Sequence, residues 1–154
     1  MKRTKYDALL SDIVRIAALE CEKCHRTFEN FPDERDARFH CSHFYGRKYN
    51  STRYLAAAPF PGVARNLFAL CATCHAELEC APAEHSLWVQ EAIGVDAYES
   101  LRLQWRRICR RRKGDLDSLY AHYNQVYERL KEARHGGAQG YLKFEAFEEG
   151  TDNP

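Results

Sequence analysis

Two Cys-x-x-Cys pairs, Cys21/Cys24 and Cys71/Cys74, are the most direct chemical signal in the sequence. Each pair can grip one edge of a tetrahedral zinc ion, and one ion would then join segments far apart in the chain. Such a site adds its binding free energy to folding, which suits a domain with a small core. The competing reading is four reduced cysteines packed as small apolar groups; two independent pairs at this spacing favour zinc. Three histidines crowd the same stretch: His40 and His43 lie between the pairs, and His75 follows Cys74 directly. Imidazole binds divalent metals and exchanges protons near neutral pH, so this stretch carries both ligand and acid–base chemistry. Cys41, Cys80 and Cys109 have no such partner and read as small buried hydrophobes, while His25, His85, His122 and His135 lack comparable neighbours.

The segment Asn66-Leu67-Phe68-Ala69-Leu70-Cys71-Ala72-Thr73-Cys74-His75, with a strand histidine upstream, resembles the HNH (His-Me finger, ββα-metal) endonuclease family. The order of parts is also similar to endonuclease VII-type resolvases and NinG-like recombination nucleases of phages, over about residues 15–80. The resemblance implies a zinc-stapled ββα-metal core and a metal-dependent endonuclease that hydrolyses DNA in phage-type recombination, repair or replication. It implies His43 as general base, Asn66 as a brace for the loop that holds His43, and His75 as a ligand of one catalytic divalent metal. Branched or junction DNA is among the substrates it implies.

One position departs from the family pattern. An acid or histidine commonly precedes the base, and here that residue is Ser42. Side chains alternate along a strand, so His40 shares a face with position 42 and is the expected first metal ligand. Cys41, on the His43 face, is the weaker candidate. Nitrogen ligands lean towards zinc, manganese or nickel and away from magnesium, and the choice of ion stays open. A non-catalytic zinc module that binds DNA or a protein partner is the alternative reading.

Certain elements must position these groups. Tyr6, Leu9, Leu10, Ile13, Ile16 and Ala17 recur at helical spacing, predicting a helix over 4–19. A loop over 25–37 leads to a strand over 38–45, closed by Gly46; a second strand over 66–70 runs into a short helix ending near Glu79. Tyr98, Leu101, Trp105 and Ile108 form one helical stripe, and Leu116, Leu119, Tyr123, Val126 and Leu130 another. With Gly114 as C-cap and Asp115 as N-cap between them, the two predict an antiparallel helical hairpin. The expected architecture is α+β: a nuclease domain over 1–82, a helical extension over 83–137 and a frayed acidic tail over 138–154.

The 154 residues carry a net charge of only +1, with 45% hydrophobic and 29% charged residues, a globular composition. No apolar run reaches the roughly 20 residues of a membrane span, and no signal-peptide core follows the basic start. A soluble, cytoplasmic protein with no membrane partner is expected. Positive charge is nonetheless clustered. Arg47, Lys48 and Arg53 follow His43, and Arg106, Arg107, Arg110, Arg111, Arg112 and Lys113 crowd the hairpin's tip. These are the candidate DNA-binding residues, set against the blander reading of a solvated charged face. The stripe from Leu116 to Leu130 also offers a homodimer contact through the C-terminal helices.

Overall fold

The computed structural model describes residues 3–28, 36–57 and 59–147. Met1, Lys2, the middle of the loop expected over 25–37 and the last seven residues lie outside the described residues. The architecture is α+β, with five helices and a two-stranded sheet among them.

Helix α1 (Lys5–Ala18) begins where Thr4 and Asp7 cap each other. The Asp7 carboxylate accepts the Thr4 N–H at 2.6 Å, and the Thr4 hydroxyl accepts the Asp7 N–H at 3.3 Å. This reciprocal box satisfies donors that a helix start leaves unpaired. The apolar face of α1 buries Leu10, Ile13, Val14, Ile16 and Ala17 in the core. Strand β1 (Phe39–His43) pairs antiparallel with β2 (Leu67–Cys71), setting Phe39 against Cys71 and His43 against Leu67. An isolated two-stranded ribbon is marginal in water. Here α1 and α2 (Ala72–Cys80) pack on it, and all five residues of β2 are buried.

Beyond α2 the chain departs from the expected hairpin. Helices α3 (Pro82–Ile93) and α4 (Val95–Trp105) pair with each other across Gly94, whose φ of 86° suits glycine. Helix α5 (Lys113–His135) packs on α1 instead, and among the described residues α4 and α5 make no contact. Leu119, Tyr123, Val126 and Leu130 are buried in this chain's own core, so the stripe offered as a dimer seam is used internally. Gly114 lies inside the first turn of α5. Asp115 is the third helical residue there, accepting the Arg112 N–H at 2.8 Å.

Residues 138–147, expected to fray, are held against the core. Arg134 reaches from α5 to the Ile16 and Ala17 carbonyls at 2.9 and 3.0 Å and to the Ala138 and Gly140 carbonyls at 2.8 and 2.7 Å. The end of α1 leaves carbonyls without helical partners, and one guanidinium fork supplies them. The Leu142 N–H adds a bond to Ala17, and Phe144 is buried.

Candidate functional site

The four paired cysteines converge. Cys21 and Cys24 sit on a tight turn in which the Cys21 N–H bonds the Arg26 carbonyl and the His25 N–H bonds the Cys21 carbonyl, each at 2.8 Å. Cys71 ends β2, and Cys74 lies in the first turn of α2. All four sulfurs lie within 4.8 Å of one another, and Cys24 and Cys71 approach to 3.7 Å. Thiolates at about 2.3 Å from a zinc ion stand roughly 3.8 Å apart along a tetrahedral edge, so the set fits such an ion. Backbone donors support thiolate charge: the Arg26 N–H holds the Cys24 thiol down to about 7. Burial pushes Cys21 and Cys74 the other way, in surroundings that favour a charged sulfur only beside a cation. Glu22 ties the turn to the sheet, pairing with Arg65 at 2.5 Å and accepting the Ala69 N–H at 2.7 Å.

Next to this cluster lies a cleft of about 810 Å³ lined by His40, His43, His75, Arg47, Lys48 and Asp7, among others. His40 Nδ1 and His75 Nδ1 meet at 2.8 Å. The outer nitrogens explain why this meeting matters. His40 Nε2 faces the Ala37 carbonyl at 2.9 Å, and His75 Nε2 faces the Glu79 carboxylate at 3.2 Å. Both acceptors suit an Nε2–H donor, and with the proton on Nε2 each Nδ1 presents a lone pair. An ion set to one side of the Nδ1–Nδ1 line could take both nitrogens, and carbonyl or carboxylate partners on the far nitrogen are the usual support of a metal-bound histidine. Burial lowers the pKa of His75; the Glu79 carboxylate opposes this and the neighbouring His40 adds to it. Two nitrogens about 2.05 Å from one ion stand roughly 2.9 Å apart at neighbouring corners of an octahedron and roughly 3.3 Å apart on a tetrahedral edge, so the 2.8 Å spacing is nearer the octahedral arrangement.

His43 ends β1 on the same cleft. Its ring donates to the backbone carbonyl of Arg53, and Nε2 has no partner, so Nδ1 carries the proton and Nε2 keeps its lone pair. Burial drives its pKa down to about 4, Asp7 pulls it upward, and Arg47 and Arg53 pull it downward. Asn66 fixes the loop that follows. Fully buried, it accepts the Tyr45 N–H at 2.7 Å and donates to the Tyr45 and Thr52 carbonyls at 2.8 and 3.1 Å. Both ends of the loop supplying the Arg53 carbonyl are thereby held by one side chain.

Cys41 turns its thiol against Ser11 of α1, and burial pushes that thiol up to about 12, away from ligand chemistry. Ser42 is buried. Arg53 is a correction to the expected phosphate clamp. It is 6% exposed, and its guanidinium grips Asp7 at 2.6 and 2.9 Å. Arg111 is likewise engaged, with the Asn50 carbonyl and the Tyr54 ring. Arg47 and Lys48 line the cleft, while Arg106, Arg107, Arg110, Arg112 and Lys113 are exposed.

Two groups matter here that the sequence reading passed over. Asp7 both caps α1 and anchors the loop that orients His43; the spacing Thr4-x-x-Asp7 is a capping signal that would have marked it. Trp105 stacks on Tyr45 at 4.6 Å, bringing the basic stretch after α4 beside the His43 loop, and no local signal announces that contact. No protein-family model, curated protein or solved structure matches this chain.

Proposed function

We propose that the chain is a metal-dependent endonuclease of the HNH type acting on DNA, with β1, β2 and α2 as its ββα-metal unit and zinc in the four-cysteine cluster. One observation carries this reading: the Nδ1 atoms of His40 and His75 meet in the cleft that His43 also lines, and the buried Nε2 of His43 has no partner of its own. His40 and His75 would hold the catalytic ion. A divalent ion there would supply positive charge to the scissile phosphate and ease departure of the 3′ oxygen.

His43 Nε2 takes the proton of a water whose oxygen attacks phosphorus. The bond from phosphorus to the 3′ oxygen breaks, and that oxygen takes a proton from solvent. The Arg53 carbonyl keeps Nδ1 protonated, so the ring presents a single basic nitrogen. Asn66 is a positioning residue, acting through the loop. Arg47 and Lys48 attract the phosphodiester backbone at the cleft's edge.

A plasmid-nicking assay with a manganese titration tests the roles separately. His43→Ala loses roughly a hundred- to ten-thousand-fold in rate at every metal concentration, the usual cost of a positioned base. His75→Ala also loses activity, but part of it returns as manganese rises. His43→Ala cutting as fast as the parent at saturating metal would remove the base assignment. The alternative, a zinc module that binds without cutting, draws on the complete burial of His43 Nε2; an inactive parent across all metals would leave it standing.

A further inference from the structure

The segment between α4 and α5 holds an apolar side chain where the helical stripe predicted a core position. Tyr98, Leu101, Trp105 and Ile108 would share one helix face, yet α4 stops at Trp105 and Ile108 is 94% exposed. Among the described residues the next most exposed large hydrophobic, Leu87, is 62% exposed. Continuing the helix would stack Arg106 on Arg110 and Arg107 on Arg111 at four-residue spacing, and like charges there oppose helix formation.

This segment is tethered at both ends to the loop that follows His43. On one side Trp105 stacks on Tyr45 with planes 3° apart, meets the edge of Tyr49 at 5.5 Å and accepts the Ser51 hydroxyl at 3.2 Å. On the other, Arg111 donates to the Asn50 carbonyl and lies 5.2 Å from the Tyr54 ring centre. A lone exposed isoleucine would need no explanation on an ordinary surface. Here it projects from a held segment with Arg106, Arg107, Arg110 and Arg112 exposed around it. An apolar protein pocket would have to desolvate those guanidiniums, whereas a nucleic-acid backbone offers anionic oxygens on both sides of an apolar stack of bases.

We propose that Ile108 is a wedge that enters an opened base step of duplex DNA from the minor groove, with the flanking arginines on the phosphates. Apolar side chains flanked by basic residues unstack a step and bend the duplex in this way. The segment that carries the wedge is tied to the loop that follows His43. The inference rests on the DNA-binding reading above and names the deformation on which the site acts.

The test places 2-aminopurine, whose fluorescence rises on unstacking, at successive positions of a short duplex, with no divalent ion added. The parent protein raises the signal several-fold at one or two adjacent positions. Ile108→Ala and Ile108→Ser lose the rise while duplex affinity falls by about tenfold or less. Ile108→Leu keeps it. An unchanged rise in Ile108→Ala overturns the proposal, as does a parent that binds duplex without any rise or binds only single strands. Metal-dependent cutting without unstacking removes the wedge alone. Ile108-dependent unstacking by a parent that never cuts keeps the wedge and removes the nuclease reading.

Discussion

Cys74 and His75 are neighbours in sequence, yet they serve two regions built on opposite plans. Cys74 turns into a closed cluster of four sulfurs, three of its residues buried, which could fill every position of a tetrahedral ion. His75 turns into an open cleft, where its Nδ1 meets that of His40 and, among the described residues, no further metal-ligating group closes in. Closed sets are the mark of structural ions, and sets with free positions are the mark of reactive ones. Buried polar contacts brace both regions: Glu22 with Arg65 and Ala69 at the cysteine turn, and Asp7 with Arg53 and Asn66 with Tyr45 and Thr52 at the histidine cleft. Under the proposed function, a metal that folds and a metal that reacts would be separable by mutation.

The largest effect should come from the cysteine side. A structural zinc contributes on the order of 10–16 kcal/mol of binding free energy, comparable with or above the whole stability of a small domain. Cys21→Ser with Cys74→Ser, or removal of the ion by a strong chelator, should therefore abolish the cooperative thermal transition followed by circular dichroism. His40→Ala with His75→Ala should keep that transition and about one equivalent of zinc. If the double cysteine variant melts like the parent, the distinction between the two regions collapses.

An intermediate effect isolates the bracing of the cleft. Removing one partner of a buried ion pair typically costs about 3–5 kcal/mol. Arg53→Ala and Asp7→Ala should each lose stability of that order in denaturant titrations while zinc content is unchanged. A loss below about 1 kcal/mol, the scale of an exposed pair, would mean that the pair does not hold the cleft.

The smallest effect is a pH window. Burial lowers the His43 pKa from 6.5 to about 4, so the unfolded chain protonates this ring before the folded chain does. Its contribution to stability is therefore complete above about pH 6.5 and is lost as pH falls towards about 4. An NMR titration should find the His43 ring neutral until near pH 4, and His43→Gln should flatten the stability profile across that window. A ring that titrates near 6.5 would place His43 in open solvent and outside the buried cleft.

Local patterns made much of the first half legible. The helical spacing from Tyr6 to Ala17 placed α1 to within a residue or so at each end; the strand expected over 66–70 lies within a residue of β2, and the one expected over 38–45 overran β1 by two residues at Tyr45. These signals are readable because side-chain periodicity and the backbone's own hydrogen-bond pattern are set within a few residues. The candidate site was legible as residue types: four thiols, three imidazoles and an amide at suggestive intervals. Arg53 shows where that stops. In sequence it looks like Arg47 and Lys48, a basic residue on a polar loop, but its side chain lies buried against Asp7, 46 positions away.

The sequence by itself determined the elements and the inventory of ligands, since spacing and propensity act over short stretches of chain. Tertiary structure alone decided the partners. Two apolar helical stripes of similar length are interchangeable in a sequence, so nothing local says that α5 covers α1 while α4 folds back on α3. Nor does anything local say that Ile108 stands outside the core its spacing predicted, or that Trp105 lies on Tyr45. Burial is a property of what else arrives at the same place. Hydrophobic attraction has no direction, and only the packing of all the elements together selects which faces meet.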